Sequence, residues 1–204
     1  MKSVHMASLC LALAFGAPAF AQDQTKNQQA APSQAEMMQR WQEFMTPNAA
    51  HTKLGDLAGS WSAEVKLWMN GPAAEPVISR GTAEYVMSLG GRFLQETFSG
   101  SMMDMPFSGI GYTGFDNFKK KYVGFWIDNS TTAFSTMEGT LDKDGKVLTM
   151  WGKMDDPMSG EKDKSIKSVW RFLDKNSIVY EVYDVTAYGE SKPVMLITYA
   201  RLKK

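Results

Sequence analysis

The spacing of apolar residues changes along the chain from a helical period to a period of two. From Trp61 onward apolar residues occupy alternate positions, as in the stretch Trp61–Leu67, and this alternation is typical of strands with one buried face. Similar stretches recur about every ten to fifteen residues. They predict strands near residues 61–69, 77–89, 92–99, 107–115, 120–128, 132–142, 146–154, 164–174, 177–186 and 192–202.

Short turns separate these predicted strands. Turn-forming residues stand at Gly90-Gly91, Asp116-Asn117, Asp144-Gly145, Asp174-Lys175-Asn176 and Tyr188-Gly189. Connections this short join antiparallel neighbours, because a parallel crossover needs about a dozen residues or more. We therefore predict an all-β fold, an antiparallel up-and-down barrel of about ten strands, in which closure removes exposed sheet edges. A sandwich of two sheets is the alternative.

The residues before the first strand predict a short helical arm. Ser33–Glu36 has the spacing of a capping box, and the apolar residues of Met37–Met45 follow at helical spacing. We expect this helix to lay one apolar face on the domain. A second short helix is expected to start at Thr46-Pro47, because proline suits the first helical position, and to end at Gly59.

The start of the chain has the features of a secretory signal peptide. Lys2 is followed by the apolar run Leu9–Phe15, which is too short to span a membrane, and then by an A-x-A cleavage site that ends at Ala21. Cleavage after Ala21 predicts a secreted or periplasmic protein without a transmembrane segment. The predicted division of the chain is 1–21 signal peptide, 22–32 disordered tether, 33–58 helical arm and 59–204 barrel.

Composition excludes several classes of function from the predicted mature chain. Cys10, the only cysteine, leaves with the signal peptide, so no disulfide, thiol nucleophile or thiolate metal site is expected. Loss of Lys2 leaves one more acidic than basic residue, which argues against nucleic acid as a partner. His51 is then the only histidine, which excludes the common zinc sites and a Ser-His-Asp triad. We expect no metal and no cofactor, and the oligomeric state stays open.

The two ends of the strand pattern resemble the calycin barrels, the class of lipocalins and fatty-acid-binding proteins. Gly59-Ser60-Trp61 is a G-x-W at the entry of the first strand, and Tyr199-Ala200-Arg201 places an arginine at the exit of the last. In lipocalin-like barrels such a tryptophan closes one end, and an arginine from a late strand packs over it. The resemblance implies that Trp61 and Arg201 close this barrel.

A longer set of segments is similar to a secreted bacterial family known only as domain of unknown function fifteen-seventy-nine. The matching segments are His51-x-x-Leu54-x-x-Leu57-x-Gly59-x-Trp61, Gly90-Gly91-Arg92-Phe93-Leu94, Met105-Pro106-Phe107-x-Gly109, Gly114-Phe115-Asp116-Asn117, Lys121-Tyr122, Trp126-x-Asp128, Glu138-Gly139 and Asp155-Asp156-Pro157-Met158-x-Gly160. The resemblance implies a calycin-like fold and no established activity.

A ligand site is expected inside the barrel. Tyr122, Trp126 and Asp128 share one face of a strand. If that face is the lumen, a carboxylate lies among aromatic residues, whereas on a face in water Asp128 merely begins a turn. Glycines in these strands leave wall space without a side chain, which favours a cavity over a solid core. The predicted ligand-binding residues are Phe93, Phe107, Tyr112, Tyr122, Trp126 and Asp128, with Met150 as a further apolar wall.

Four further motifs suit structural roles better than chemical ones. Gly109–Gly114 matches G-x-G-x-x-G, but a basic hairpin and a strand follow where dinucleotide binding requires a helix. The methionines of Met102–Met105 could ligate cuprous copper, yet methionine is also a common filler of apolar pockets. Asp155-Asp156 precedes Pro157 and is expected in a turn. His51 is expected to orient the arm through a hydrogen bond, with haem binding or a role as general base as alternatives.

Three classes of function suit such a barrel. The first is a secreted binding module that holds a small apolar or amphipathic ligand. The second is an isomerase or cyclase that uses Asp128 with Tyr122 or Tyr112. The third is interaction with proteins of the envelope through the helix Met37–Met45. An apolar lumen favours the first, convergent Asp and Tyr groups favour the second, and a packed interior with an exposed apolar helix favours the third.

Overall fold

A computed structural model describes residues 31–203 of the chain. The predicted signal peptide and most of the predicted tether lie outside these residues. The helices are α1 (Gln34–Met45), α2 (Ala49–Gly55) and α3 (Val185–Tyr188). The strands are β1 (Gly59–Leu67), β2 (Val77–Ser88), β3 (Phe93–Met102), β4 (Met105–Asp116), β5 (Lys121–Asp128), β6 (Ser135–Leu141), β7 (Val147–Asp156), β8 (Glu161–Asp174), β9 (Ser177–Asp184) and β10 (Met195–Arg201). No helix in this part of the chain is long and apolar enough to cross a membrane.

The ten strands form one closed antiparallel barrel. Each strand pairs with the next along the chain, and β10 pairs with β1 in a register that sets Arg201 opposite Trp61. Closure leaves none of these ten strands with a free edge. The predicted all-β up-and-down barrel is confirmed, and the sandwich is wrong.

Alternation along the strands separates the interior of the barrel from its outer surface. In β3, for example, Leu94 and Phe98 point inward and are buried, whereas Thr97 between them is exposed. A one-residue error in this phase moves a side chain to the opposite face of the sheet. Assigning each side chain to the lumen or the outer surface therefore decides which residues can form a site.

The two ends of the barrel differ. Helix α2 lies at the end where β1 begins, and its Leu54 is buried together with the following Leu57. We call this the closed end. The loops that follow β1, β3, β5, β7 and β9 surround the opposite end, which we call the mouth.

Trp61 and Arg201 lie together at the closed end. Trp61 is fully buried, and its indole Nε1 donates a hydrogen bond to the carbonyl of Leu57 at 2.9 Å. The guanidinium carbon of Arg201 lies 4.1 Å from the centre of the indole ring. Its two terminal nitrogens donate to the carbonyls of Asp56 and Ala58, both at 2.7 Å. Arg201 therefore fastens the end of the arm to the last strand.

Helix α1 forms where predicted but does not pack as predicted. Its capping box between Ser33 and Glu36 is present. Its exposed apolar side chains are Met37, Met38, Trp41, Phe44 and Met45. The expectation that this helix lays an apolar face on the domain is therefore wrong. Its end is held instead through the backbone, because the amide of Asn117 donates to the carbonyls of Glu43 and Thr46 at 2.9 and 2.8 Å.

Helix α2 starts two residues later than the sequence predicts. Its cap is Asn48, whose side chain accepts from the backbone N–H of Ala50, so Pro47 lies outside the helix. The backbone N–H of Asn48 donates to Nδ1 of His51 at 3.0 Å. Asn48 also donates from its amide to Asn117 at 2.7 Å, which ties α2 to the turn after β4.

Candidate functional site

A cavity opens at the mouth and extends through the barrel towards the closed end. Its volume of about 380 Å³ falls within the usual range of small-molecule sites. The walls are mainly apolar and include Val65, Phe98, Phe107, Trp126, Met150 and Ile197. Met102, Met103 and Met154 line the part nearest the mouth. The barrel is therefore hollow and not filled by its own side chains.

A polar cluster lies at the deep end of this cavity. Glu96 points into the lumen from β3, between Leu94 and Phe98 on the same face. The hydroxyl of Tyr199 donates a hydrogen bond to Oε1 of Glu96 at 3.2 Å. Tyr85 stands directly opposite Glu96 on β2 and is only 2 % exposed. Within residues 31–203 the buried hydroxyl of Tyr85 has no hydrogen-bond partner.

Burial controls the ionisation of this cluster. Removal from water raises the pKa of Glu96 to about 7, and the hydrogen bond donated by Tyr199 lowers it only in part. Part of the Glu96 side chain borders the cavity, at the end away from the mouth. Burial raises the pKa of Tyr180 to about 12 and holds the pKa values of Tyr85 and Tyr199 well above their usual range.

The two tyrosines of the polar cluster pack with two further aromatic rings, those of Trp170 and Tyr180. The rings of Trp170 and Tyr199 are parallel, with centres 6.3 Å apart and planes 5° apart. Tyr85 meets both of them edge to face, at 6.3 Å from Trp170 and 6.2 Å from Tyr199. Tyr180 lies against the other side of the group, 4.6 Å from Trp170. Such rings combine a large apolar surface with negative faces.

The face that carries Trp126 and Asp128 is the lumen face. The indole Nε1 of Trp126 donates to Oδ2 of Asp128 at 2.9 Å. The other oxygen of Asp128 accepts from the backbone N–H and the hydroxyl of Ser130, at 2.9 and 2.6 Å. Asp128 therefore both borders the cavity near the mouth and begins the turn after β5.

Tyr122 and Tyr112 do not border the cavity with Asp128. Tyr122 is on the lumen side but lies at the closed end, where its hydroxyl is 3.5 Å from the carbonyl of Ala50. Asp128 is six positions further along the strand, a distance of about 20 Å at ~3.3 Å per residue. Tyr112 points outward and donates to Gln95 at 2.7 Å. These tyrosines and Asp128 therefore do not converge on one reacting group, and their assignment to a shared ligand site is corrected.

Phe93 is also on the outer surface, because Leu94 takes the lumen position at the start of β3. Its assignment to the pocket is a phase error of one residue. Phe107 does line the cavity and packs edge to face on Phe98, with ring centres 5.9 Å apart. Met150 lines it as well and is buried.

The glycines of β4 give room to a neighbouring side chain and do not leave the wall empty. A Cβ atom at Gly109 would collide with the indole of Trp126, and one at Gly111 would lie 2.9 Å from it. Both glycines lie within a strand, so the helix that a dinucleotide site requires is missing from this motif. The glycine pattern therefore reflects the placement of Trp126.

The residues of the remaining candidate motifs contact other parts of the protein and have structural roles. Asp155 and Asp156 are the last two residues of β7 and not part of a turn as expected, since the turn begins at Pro157. Asp156 accepts a hydrogen bond from Nζ of Lys164 at 2.9 Å. His51 is buried at the closed end beside Phe115, away from the cavity, and burial lowers its pKa. Among residues 31–203, no group of three or more His, Cys, Asp or Glu side chains is arranged to hold a metal ion.

Glu96 is the residue that sequence reasoning missed. The signal that could have found it is its position between Leu94 and Phe98, two apolar residues that share its face of the strand. Tyr85 and Tyr199 have the same kind of position, between inward residues of β2 and β10. A charged residue in phase with the core face of a barrel strand indicates a lumen group.

Comparisons with known proteins identify a family and a fold. A family model described as "Protein of unknown function (DUF1579)" matches residues 46–201, in agreement with the resemblance seen in the sequence. The crystal structure of Rv2717c from M. tuberculosis is similar, with 16% identity and a TM-score of 0.55 over 78% of this chain and 100% of that chain. At this identity the likeness shows the fold alone. No curated protein matches the chain.

Proposed function

We propose that this chain, which belongs to the DUF1579 family of proteins of unknown function, binds one small amphipathic molecule inside its barrel. The observation that carries the proposal is the cavity of about 380 Å³, which is apolar along its walls and ends at Glu96. An apolar chain placed there would gain ~25 cal/mol for each Å² removed from water, before the entropic cost of binding.

The position of the polar groups defines how such a molecule would lie. Glu96 and its tyrosines are near the closed end, whereas Met102, Met103 and Met154 are near the mouth. The polar end of the ligand would therefore enter first, and its apolar part would fill the outer half of the cavity. Methionine side chains suit that half because they adapt to apolar groups of different shape.

The predicted signal peptide supports a role outside the cytoplasm, and we propose this location together with the binding function. The interaction role is a weaker candidate. The exposed apolar residues of α1 favour it. A packed interior would favour it as well, whereas this barrel contains a cavity.

Filling the cavity with a side chain tests the proposal. Val65 lines the cavity, and Val65→Trp would place an indole in the space where the ligand lies. Val86 is 51 % exposed on the outer surface, so Val86→Trp makes the same chemical change outside the cavity. We expect wild type and Val86→Trp to bind the neutral fluorescent probe N-phenyl-1-naphthylamine, and Val65→Trp to lose at least tenfold in affinity. Equal binding by both folded variants would contradict a site inside the barrel.

A further inference from the structure

We propose that the ligand is an aliphatic primary amine, bound as an ammonium ion whose head contacts Glu96. This inference rests on the proposed function and specifies its ligand. It starts from the charges in the cavity. Among the described residues, the charged side chains that line it are Glu96, Asp128, Asp155 and Lys153. Lys153 is near the mouth, where its Nζ donates to the hydroxyl of Ser165 at 3.1 Å. The deep end therefore carries a carboxyl group and no basic side chain.

The aromatic residues around Glu96 suit a cation. Trp170 and Tyr199 present parallel rings 6.3 Å apart, and Tyr85 closes the group edge to face. A cation is attracted to the face of an aromatic ring, and the attraction strengthens where water is excluded. A carboxylate beside such rings, with Tyr199 hydrogen-bonded to it and Tyr85 opposite it, is an environment that suits an ammonium group.

The hydroxyl of Tyr85 provides the independent observation. It is buried, it belongs to a residue that lines the cavity, and it has no hydrogen-bond partner among residues 31–203. A buried hydroxyl without a partner is costly, and most such groups are satisfied in native proteins. A primary ammonium has three donors, which can be shared between the carboxylate of Glu96 and the oxygen of Tyr85.

The deep end of the cavity disfavours an anionic head group. A fatty-acid carboxylate at this depth would face Glu96 without a lysine or arginine to compensate it, and both charges would lie outside water. A neutral alcohol could donate a hydrogen bond to Glu96 but carries no charge to neutralise the carboxylate. The cavity should therefore rank the three head groups as ammonium, alcohol and carboxylate.

The affinity for an amine should depend on pH through Glu96. An alkylammonium ion, with a pKa near that of lysine, stays charged up to about pH 9, whereas Glu96 loses its proton near pH 7. Amine affinity should therefore rise by up to tenfold per pH unit from about pH 5 to pH 7 and then level off. The other titratable groups facing Glu96 are the hydroxyls of Tyr85, Tyr180 and Tyr199, and burial raises their pKa values away from this range. Asp128, Asp155 and Lys153 lie nearer the mouth.

Three probes that share an octyl chain test the inference on the full-length protein. Isothermal titration at pH 8 with octylammonium chloride, 1-octanol and sodium octanoate compares the head groups directly. We expect octylammonium to bind at least tenfold more tightly than octanol, and octanoate to bind most weakly. In Glu96→Gln we expect octanol binding to persist and the preference for octylammonium to disappear. Glu84→Gln makes the same change at an exposed residue of β2 and should behave as wild type.

Each outcome separates this inference from the proposed function. Equal binding of octanol and octylammonium, or tighter binding of octanoate, overturns the amine and leaves the binding function standing. Failure of all three probes, together with failure of the neutral naphthylamine probe, contradicts the binding function itself. If Glu96→Gln does not fold, the pH profile of the wild-type protein decides, because an octylammonium affinity that is flat from pH 5 to pH 8 overturns the role of Glu96.

Discussion

The hydroxyl of Tyr199 donates a hydrogen bond to Glu96 at 3.2 Å inside the barrel, and among residues 31–203 no basic side chain lies close enough to hold this carboxyl group ionised. Burial raises the pKa of Glu96 from 4.5 to about 7. The folded state therefore binds this proton more tightly than the unfolded state does. The resulting stabilisation is fully present below about pH 4.5 and is lost as the pH rises through 7.

We therefore expect the wild-type protein to lose stability relative to Glu96→Gln between pH 5 and pH 8. Since one pKa unit corresponds to about 1.4 kcal/mol, the difference should be on the order of 1–3 kcal/mol. Urea unfolding of both proteins at the two pH values measures it, and titrations elsewhere in the molecule cancel in the comparison. An identical pH dependence for the two proteins would contradict the buried, protonated state of Glu96.

The unpartnered hydroxyl of Tyr85 predicts an unusual effect of mutation. Tyr85→Phe removes a buried polar atom that has no partner among the described residues, so it should leave stability unchanged or increase it by ~1 kcal/mol. Tyr199→Phe is the matched control, because it removes a hydroxyl that is hydrogen-bonded to Glu96, and it should cost ~1 kcal/mol. Urea unfolding compares the two variants. A larger loss for Tyr85→Phe than for Tyr199→Phe would show that the hydroxyl is satisfied within the protein.

The contact between Trp61 and Arg201 at the closed end stabilises the barrel. Trp61→Ala should destabilise the protein by ~3–5 kcal/mol, because a fully buried indole is lost and a cavity is left. Trp151, which is 43 % exposed on the outer surface, provides the control, and Trp151→Ala should cost clearly less because it leaves no cavity in the interior. Thermal or urea unfolding measures both. Similar losses for the two variants would contradict the role of Trp61 in closing the barrel.

The predicted signal peptide determines which residue should begin the mature protein. The exported protein should begin at Gln22, since cleavage is expected after Ala21. Intact-mass measurement of protein from the periplasm or culture medium tests this. A mass that includes residues 1–21, or one that carries an added lipid, would contradict the predicted processing.

The regular features of this barrel could be predicted from the sequence because they are repeated along the chain. Period-two spacing and short turns specify ten antiparallel strands. The contact between Trp61 and Arg201 was implied by the resemblance to lipocalin-like barrels, and the structure contains it. The strands and turns depend on local pattern, which a single sequence contains. That pattern left open whether the face of Trp126 and Asp128 points into the lumen, and the structure shows that it does.

The errors arise where both faces of a strand carry large side chains. Phe93 and Leu94 are adjacent apolar residues, so alternation alone does not show which one points inward. Tyr112 has a similar ambiguity, because its outward ring stacks on Phe125 of the next strand, 5.3 Å away. Glu96 is hidden for the opposite reason, since a charged residue in a strand is ordinarily assigned to solvent. The fold could therefore be predicted from local pattern. Identification of the polar residues at the deep end of the cavity required the register of β2, β3 and β10.

The central claim, that the barrel holds a small molecule, is tested most directly by what the protein carries. Wild-type protein and Val65→Trp, purified in parallel from the native compartment, would be denatured and their released small molecules compared by mass spectrometry. We predict an amphipathic molecule released from the wild-type protein and absent, or at least tenfold reduced, in the folded Val65→Trp variant. Release of the same molecules in equal amounts from both proteins, or of none from either, would contradict a ligand site inside the barrel.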